Sequence, residues 1–114
     1  MTVPMIGRKY HVAFPTMALI QHFISDTQLE FIVEHSPDLP RGSAHTVEIV
    51  IAPLRDQLYM VSWQEPSGNT VVHIEDFAEH CVHAFLTMRD GKFIRQSAPL
   101  VELTSSRTSA GETT

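Results

Sequence analysis

The chain has 114 residues, of which 43% are hydrophobic and 18% charged, and its formal net charge is −5. This length suits one domain, which should bury roughly two thirds of its unfolded surface around a single core. The acidic balance argues against nucleic acid and against an anionic membrane as partners, because both need a face rich in Lys and Arg.

A single cysteine, Cys81, allows neither an intramolecular disulfide nor a thiolate metal cluster. The first fifteen residues lack the long apolar run of a signal peptide, and no run approaches the length of a membrane span. We therefore expect a protein of a reducing compartment, the cytoplasm.

Short apolar runs separated by Pro, Gly, Asp, Asn or Ser dominate the chain and predict strands, because many of them alternate with a period of two. In chain order, the predicted strands cover residues 9–14, 18–24, 29–35, 45–52, 58–65, 70–77, 81–88, 93–96 and 100–103. Predicted turns lie at 25–26, 53–56, 66–69 and 89–92, and a longer loop at 36–44. About one strand per ten residues predicts an all-β meander, barrel or sandwich.

The predicted strand 58–65 carries the most information about function. It places Tyr59, Val61, Trp63 and Glu65 on one face. If this face points inward, Glu65 lies near the mouth of an apolar cavity, where a carboxylate suits a general acid, a general base or a polar anchor. The alternative is a solvated glutamate at a strand end, next to the Pro66 turn.

The segment 58–77, LYMVSWQEPSGNTVVHIEDF, resembles the signature of the molybdenum cofactor biosynthesis protein F family and its MoaF-like relatives. It is also similar to a segment of the bacterial phenolic acid decarboxylases. The residues that carry the resemblance are Ser62, Trp63, Glu65, Gly68, Val71 and Val72. Weaker similarity extends it over about residues 7–103.

This resemblance implies a single antiparallel calycin (lipocalin-like) β-barrel over residues 5–103 that encloses a pocket. Residues 104–114, rich in Ser, Thr and Gly, predict a disordered tail. By analogy with the decarboxylases, Glu65 and Arg41 are the catalytic candidates. The two substrate-binding tyrosines of those enzymes fall at Val12 and Phe14, so phenolic acid decarboxylation is not implied. The residues expected to bind a ligand are Val12, Phe14, Tyr59, Val61, Trp63, Val71 and His73.

Two points stay open at the level of sequence. On the strand 70–77, Val71, His73 and Glu75 share one face, while the opposite face with Val72 and Ile74 is equally apolar. The seven histidines invite a metal hypothesis, but their spacing favours scattered histidines, so we expect no metal and no cofactor.

The sequence thus favours a protein that binds a hydrophobic or aromatic small molecule in a barrel cavity. The alternative is a cofactor-free lyase, isomerase or cyclase that uses Glu65 as a general acid or base on a conjugated or enolisable substrate. A third possibility is an interaction module that pairs through an exposed strand edge. The expected partners are a small-molecule ligand or substrate and, from the resemblance, a second copy in a homodimer.

Overall fold

A computed structural model describes residues 3–104, which form strands and turns and contain no helix. The nine strands are β1 (Lys9–Ala13), β2 (Ala18–Phe23), β3 (Gln28–His35), β4 (Ala44–Glu48), β5 (Val50–Arg55), β6 (Leu58–Gln64), β7 (Thr70–Asp76), β8 (Cys81–Thr87) and β9 (Phe93–Leu103). No helix in the described part could therefore cross a membrane. The predicted tail, 104–114, lies outside the described residues apart from Thr104.

All neighbouring strands are antiparallel and follow the order β4-β3-β2-β1-β9-β8-β7-β6-β5. The strand β9 serves both halves of the sheet, because residues 93–99 pair with β8 and residues 100–103 pair with β1. The two edge strands, β4 and β5, are consecutive in the chain and are separated only by Ile49. The bend at Ile49 brings the sheet back towards itself as a nearly closed barrel, which confirms the predicted fold class.

The structure corrects the predicted strands at the two places where the chain passes between the two halves, and at Pro53. The single strand predicted for 45–52 is divided at Ile49: its N–H still donates to the Thr27 carbonyl at 2.8 Å, next to the β3–β4 ladder, whereas Val50 and the residues after it pair with β6. Pro53, predicted to lie in a turn, belongs to β5, where an edge position tolerates a residue without an N–H. The two strands predicted for 93–96 and 100–103 are one, with Pro99 at the change of partner.

Alternation along the strands decides which side chains face the interior. In β6, Tyr59, Val61 and Trp63 are buried, as the sequence pattern suggested for an inward face. In β7, the buried residues include His73 and Glu75, so the open question about this strand is settled in favour of the face that carries Val71. The interior of the barrel therefore contains ionisable side chains as well as apolar ones.

One end of the barrel is packed with side chains, and we call it the filled end; it comprises Met5, Tyr10, Phe23, Tyr59 and Phe77. The Tyr10 ring lies 6.0 Å from the Phe23 ring and 5.4 Å from the Phe77 ring, centroid to centroid. The N-terminal segment covers this end, because the Gly7 N–H donates to the Phe23 carbonyl at 2.7 Å and Met5 is completely buried. Within residues 3–104, this end of the barrel is therefore filled by side chains.

Candidate functional site

A cavity of about 430 Å³ occupies the other end of the barrel, which we call the pocket end. Residues from the turns β1–β2, β3–β4, β6–β7 and β8–β9 surround its mouth, and inward-facing side chains of the strands form its walls. The volume falls within the range of small-molecule sites, which are mainly apolar clefts with a few polar groups. Its walls include Phe14, Met17, Leu19, Phe31, Trp63 and Val71.

Aromatic rings surround a histidine in the cavity wall. The Trp63 ring centroid lies 4.9 Å from that of His73, with the rings inclined at 69°. The Phe14 ring contacts the same imidazole from 5.9 Å, again edge to face. These contacts restrict rotation of the imidazole and give it a largely apolar surrounding.

Three polar residues meet inside the barrel: Gln21, His73 and Glu75, which we call the buried triad. Their exposed fractions are 0%, 4% and 0%, respectively. Glu75 Oε2 lies 3.0 Å from His73 Nδ1, and Glu75 Oε1 accepts a hydrogen bond of 3.1 Å from Gln21 Nε2. Since Gln21 lies on β2 and Glu75 on β7, the second bond joins the two halves of the sheet across the interior.

The chemistry of these groups fixes their hydrogen-bonding roles. An ionised carboxylate only accepts hydrogen bonds, so Glu75 requires the Nδ1–H tautomer of His73 and the amino end of the Gln21 amide. His73 lines the cavity, and its other ring nitrogen, Nε2, has no hydrogen-bond partner within residues 3–104. Nε2 is therefore the ring nitrogen that remains for a molecule in the cavity.

Two further polar atoms of the cavity wall lack a hydrogen-bond partner among the described residues. They are Trp63 Nε1, a donor, and Gln21 Oε1, an acceptor, and both are buried. A buried polar atom without a partner costs about 1–3 kcal/mol, so natural proteins rarely leave one unexplained.

Comparison with known proteins gives one family. The profile of the MoaF-like family matches residues 6–101. The chain belongs to the MoaF-like family. This confirms the resemblance found in the sequence, and the MoaF-like barrel is compatible with ligand binding. None of the curated proteins gives a significant match.

Among solved structures, 16 chains match significantly. One is a crystal structure from Burkholderia vietnamiensis that is described provisionally as a beta-lactamase. It is 25% identical to the MoaF-like chain, covers 90% of it and is itself covered over 99% of its length, with a TM-score of 0.81. The two proteins therefore share the whole barrel.

The structure brings together five of the residues that the sequence suggested for the site of this MoaF-like protein. Those that line the cavity are Phe14, Trp63, Glu65, Val71 and His73. Three others, Val12, Tyr59 and Val61, are buried in the core but do not line the cavity. Arg41 is exposed in the loop between β3 and β4, and it does not line the cavity either. The roles suggested for all these residues remain predictions.

Glu65 lies at the mouth of the cavity and not among the buried groups. It is partly exposed, and its carboxylate accepts a hydrogen bond of 3.4 Å from Asn69 Nδ2 in the same turn. Backbone bonds between Glu65 and Asn69 and between Gly68 and Glu65 hold this turn. Solvent can therefore screen the Glu65 charge far more than that of Glu75.

Sequence reasoning did not select Gln21 and Glu75 as site residues. The available signal was a polar residue on the period-two face of an otherwise apolar strand: Gln21 lies between Leu19 and Phe23, and Glu75 follows His73 by two. The signal identified them as site residues only once the structure showed that Gln21 and Glu75 are both completely buried and therefore point inward.

The Cys81 thiol lies outside the cavity. Partial burial, with the carboxylates of Asp76 and Glu79 nearby, raises the pKa of the Cys81 thiol. The nucleophilic thiolate is therefore disfavoured. Within residues 3–104, no group of three or more His, Cys, Asp or Glu side chains is arranged to hold a metal ion.

Proposed function

We propose that this MoaF-like protein binds a small, mainly apolar organic molecule in the cavity at the pocket end. The observation that carries the proposal is the cavity of about 430 Å³, whose wall is mainly apolar and includes the His73 imidazole, with Nε2 free of partners within residues 3–104. An apolar ligand would bury its surface against this wall, and a polar atom of the ligand would bond to His73 Nε2.

The charges around the cavity favour a neutral ligand. The described residues that line it include two carboxylates, Asp38 and Glu65, and no Lys or Arg. An anionic ligand would meet repulsion at the mouth and would find no guanidinium to pair with it, since Arg41 lies elsewhere. The rings of Phe14, Phe31 and Trp63 further favour a planar or aromatic molecule.

Titration with N-phenyl-1-naphthylamine, a neutral aromatic fluorophore, tests the proposal. Trp63 is the only tryptophan of the chain and lies in the cavity wall, so energy transfer from it reports a probe bound there. Val71→Phe adds bulk to the wall and should weaken binding at least tenfold. Val50→Phe makes the same change at a side chain that is 67% exposed and outside the cavity, and should leave the affinity unchanged.

Equal affinity in the two variants would contradict binding in the cavity, as would failure of the wild-type protein to bind the probe. Circular dichroism and urea unfolding of both variants establish that they are folded. Native mass spectrometry of freshly purified protein would then give the mass of any natural ligand that it carries, and the Val71→Phe variant should lose that mass.

The lactamase name of the Burkholderia protein is not part of this proposal. Two serines, Ser36 and Ser67, line the cavity of the present chain. The Ser36 hydroxyl accepts hydrogen bonds from the Asp38 and Leu39 N–H groups, at 3.1 and 3.2 Å, and so stabilises the loop between β3 and β4. The observed geometry supports ligand binding more strongly than it supports a serine nucleophile.

A further inference from the structure

We infer that the cavity is also a proton-transfer site, in which His73 Nε2 is the general base and Glu75 is the positioning residue. This inference rests on the proposed function, because it requires a molecule in the same cavity. It differs from the sequence-based hypothesis, which gave the base role to Glu65 at the mouth.

The first argument is the arrangement of the imidazole. Glu75 accepts the Nδ1–H bond of His73 at 3.0 Å, which directs the lone pair of Nε2 away from the carboxylate. His73 lines the cavity, while the Phe14 and Trp63 rings pack against its ring. The base is thus held in one tautomer and one orientation before a ligand arrives, which is what general-base catalysis requires.

The second argument is charge stabilisation. When Nε2 takes a proton, the imidazole becomes a cation next to the fully buried Glu75 carboxylate. An opposite charge at this distance, shielded from water, stabilises the cation far more than an exposed carboxylate would. Gln21 Nε2 donates to the other oxygen of Glu75, so the carboxylate keeps its position during the transfer.

A purely structural role would not require a nitrogen that faces the cavity. The His73 Nδ1–H satisfies the buried Glu75 carboxylate, and the bond between Gln21 and Glu75 joins the two halves of the sheet. Neither of these structural contacts uses Nε2, and the imidazole lies between the buried carboxylate and the cavity. The position of Nε2 therefore favours chemistry.

The substrate class follows from these groups: a neutral, mainly apolar ketone with an acidic hydrogen on the carbon next to the carbonyl. The C–H bond breaks, an N–H bond forms at Nε2, and the electron pair moves into an enolate whose charge rests on oxygen. We assign the contact with this oxygen to Trp63, whose ring packs against His73 and whose Nε1–H has no partner within residues 3–104; Nε1 is itself buried, so the Trp63 ring must shift for the contact to form. Return of the proton to the same carbon gives hydrogen exchange, and return to the γ carbon of a β,γ-unsaturated ketone gives isomerisation.

Hydrogen–deuterium exchange of 2-tetralone in D₂O, followed by proton NMR, tests the step without knowledge of the natural substrate. The wild-type protein should exchange the hydrogens next to the carbonyl faster than protein-free buffer does. His73→Gln should lower the protein-dependent rate at least 100-fold, the size of a general-base contribution. His83→Gln makes the same change at an exposed histidine outside the cavity and should leave the rate unchanged.

Quenching of Trp63 fluorescence by 2-tetralone measures binding separately from exchange. Binding of 2-tetralone, together with a hydrogen–deuterium exchange rate that is lower in His73→Gln than in the wild type, supports the inference. Binding without exchange, or with exchange that His73→Gln does not lower, overturns it and leaves the proposed function in place. Absence of binding by both 2-tetralone and the fluorophore overturns both. If His73→Gln does not fold, the double variant His73→Gln/Glu75→Gln replaces it, since it removes the buried charge together with its partner.

The positioning role of Glu75 has its own readout, the tautomer of His73 observed by ¹⁵N–¹H correlation NMR. The wild-type ring should be in the Nδ1–H form, and its signals are assigned by their loss in His73→Gln. Glu75→Gln should bind 2-tetralone within a few-fold of wild type, populate the other tautomer and exchange at least tenfold more slowly. An unchanged tautomer and rate would contradict the role of Glu75.

Discussion

The two ends of the barrel differ although the same strands build both. At the filled end, the N-terminal segment crosses the opening and places Met5 in the core, against which Tyr10 and Phe23 are also buried. At the pocket end, the described residues around the opening belong to turns, and the aromatic side chains line a cavity. The N-terminal segment that fills one end has no counterpart among the described residues of the pocket end. This difference, and not the composition of the walls, leaves room for a ligand at the pocket end.

The buried triad lies where the two ends meet. Glu75 is paired across the ladder with Tyr59 of the filled end, whereas His73 is paired with Val61, one layer nearer to the cavity. The packed residues of the filled end keep water from the carboxylate, and the cavity gives a ligand access to the imidazole. In this pair, the Glu75 carboxylate is shielded from water, while a ligand can reach the His73 imidazole.

The largest effect should come from loss of an aromatic ring at the filled end. Phe23→Ala removes a fully buried ring and should lower the free energy of unfolding by about 3–5 kcal/mol. Phe14→Ala makes the same change in the cavity wall, where packing is already incomplete, and should cost at most half as much. Urea unfolding of both variants measures this, and equal losses would contradict the distinction between the two ends.

The next largest effect on stability should come from a change in the buried triad. Gln21→Leu removes the amide that donates to Glu75 and should lower the free energy of unfolding by about 1.5–3 kcal/mol, because a buried carboxylate loses a donor. Gln28→Leu is the matched control, since its hydrogen bond to Glu48 is exposed. If Gln21→Leu lowers the free energy of unfolding no more than this control does, the Gln21–Glu75 bond contributes little to stability.

Alkaline pH should weaken the filled end through Tyr10. Burial, followed by the Glu102 carboxylate, raises the pKa of Tyr10 from 10.0 to about 12. The unfolded chain releases the phenol proton near pH 10 while the folded state retains it, so this contribution is complete below pH 10 and is lost as the pH rises towards 12. The loss should be about 2 kcal/mol. Urea unfolding at pH 9 and pH 11.5 measures it, and Tyr10→Phe should show a smaller decrease than wild type.

The smallest effect should be that of Glu65→Gln at the cavity mouth. Glu65 is partly exposed and, among residues 3–104, its carboxylate bonds only to Asn69 of its own turn, so the affinity for N-phenyl-1-naphthylamine should change by no more than a few-fold. The exchange of 2-tetralone should also persist. A loss of exchange comparable to that in His73→Gln would return the role of general base to Glu65.

Most strands could be predicted from the sequence because their period-two patterns record which side faces the core. The prediction was wrong where a strand changes partners, at Ile49 and near Pro99. At such a corner the local pattern is the same whether the chain continues along one neighbour or leaves it for another. At Ile49 the change is from β3, to which its N–H still bonds through Thr27, to β6, which pairs with Val50, and both partners lie more than ten residues away in the sequence.

The sequence by itself determined an all-β barrel of the MoaF-like family and an inward face that carries Trp63, since these depend on local alternation and on a motif of neighbouring residues. Only the tertiary structure decided that His73 and Glu75 point inward and that Gln21, 54 positions away from Glu75, completes their hydrogen bonds. The physical reason is that both faces of β7 are apolar enough to be buried. The partners across the barrel, and not the pattern along the strand, select which face is inside.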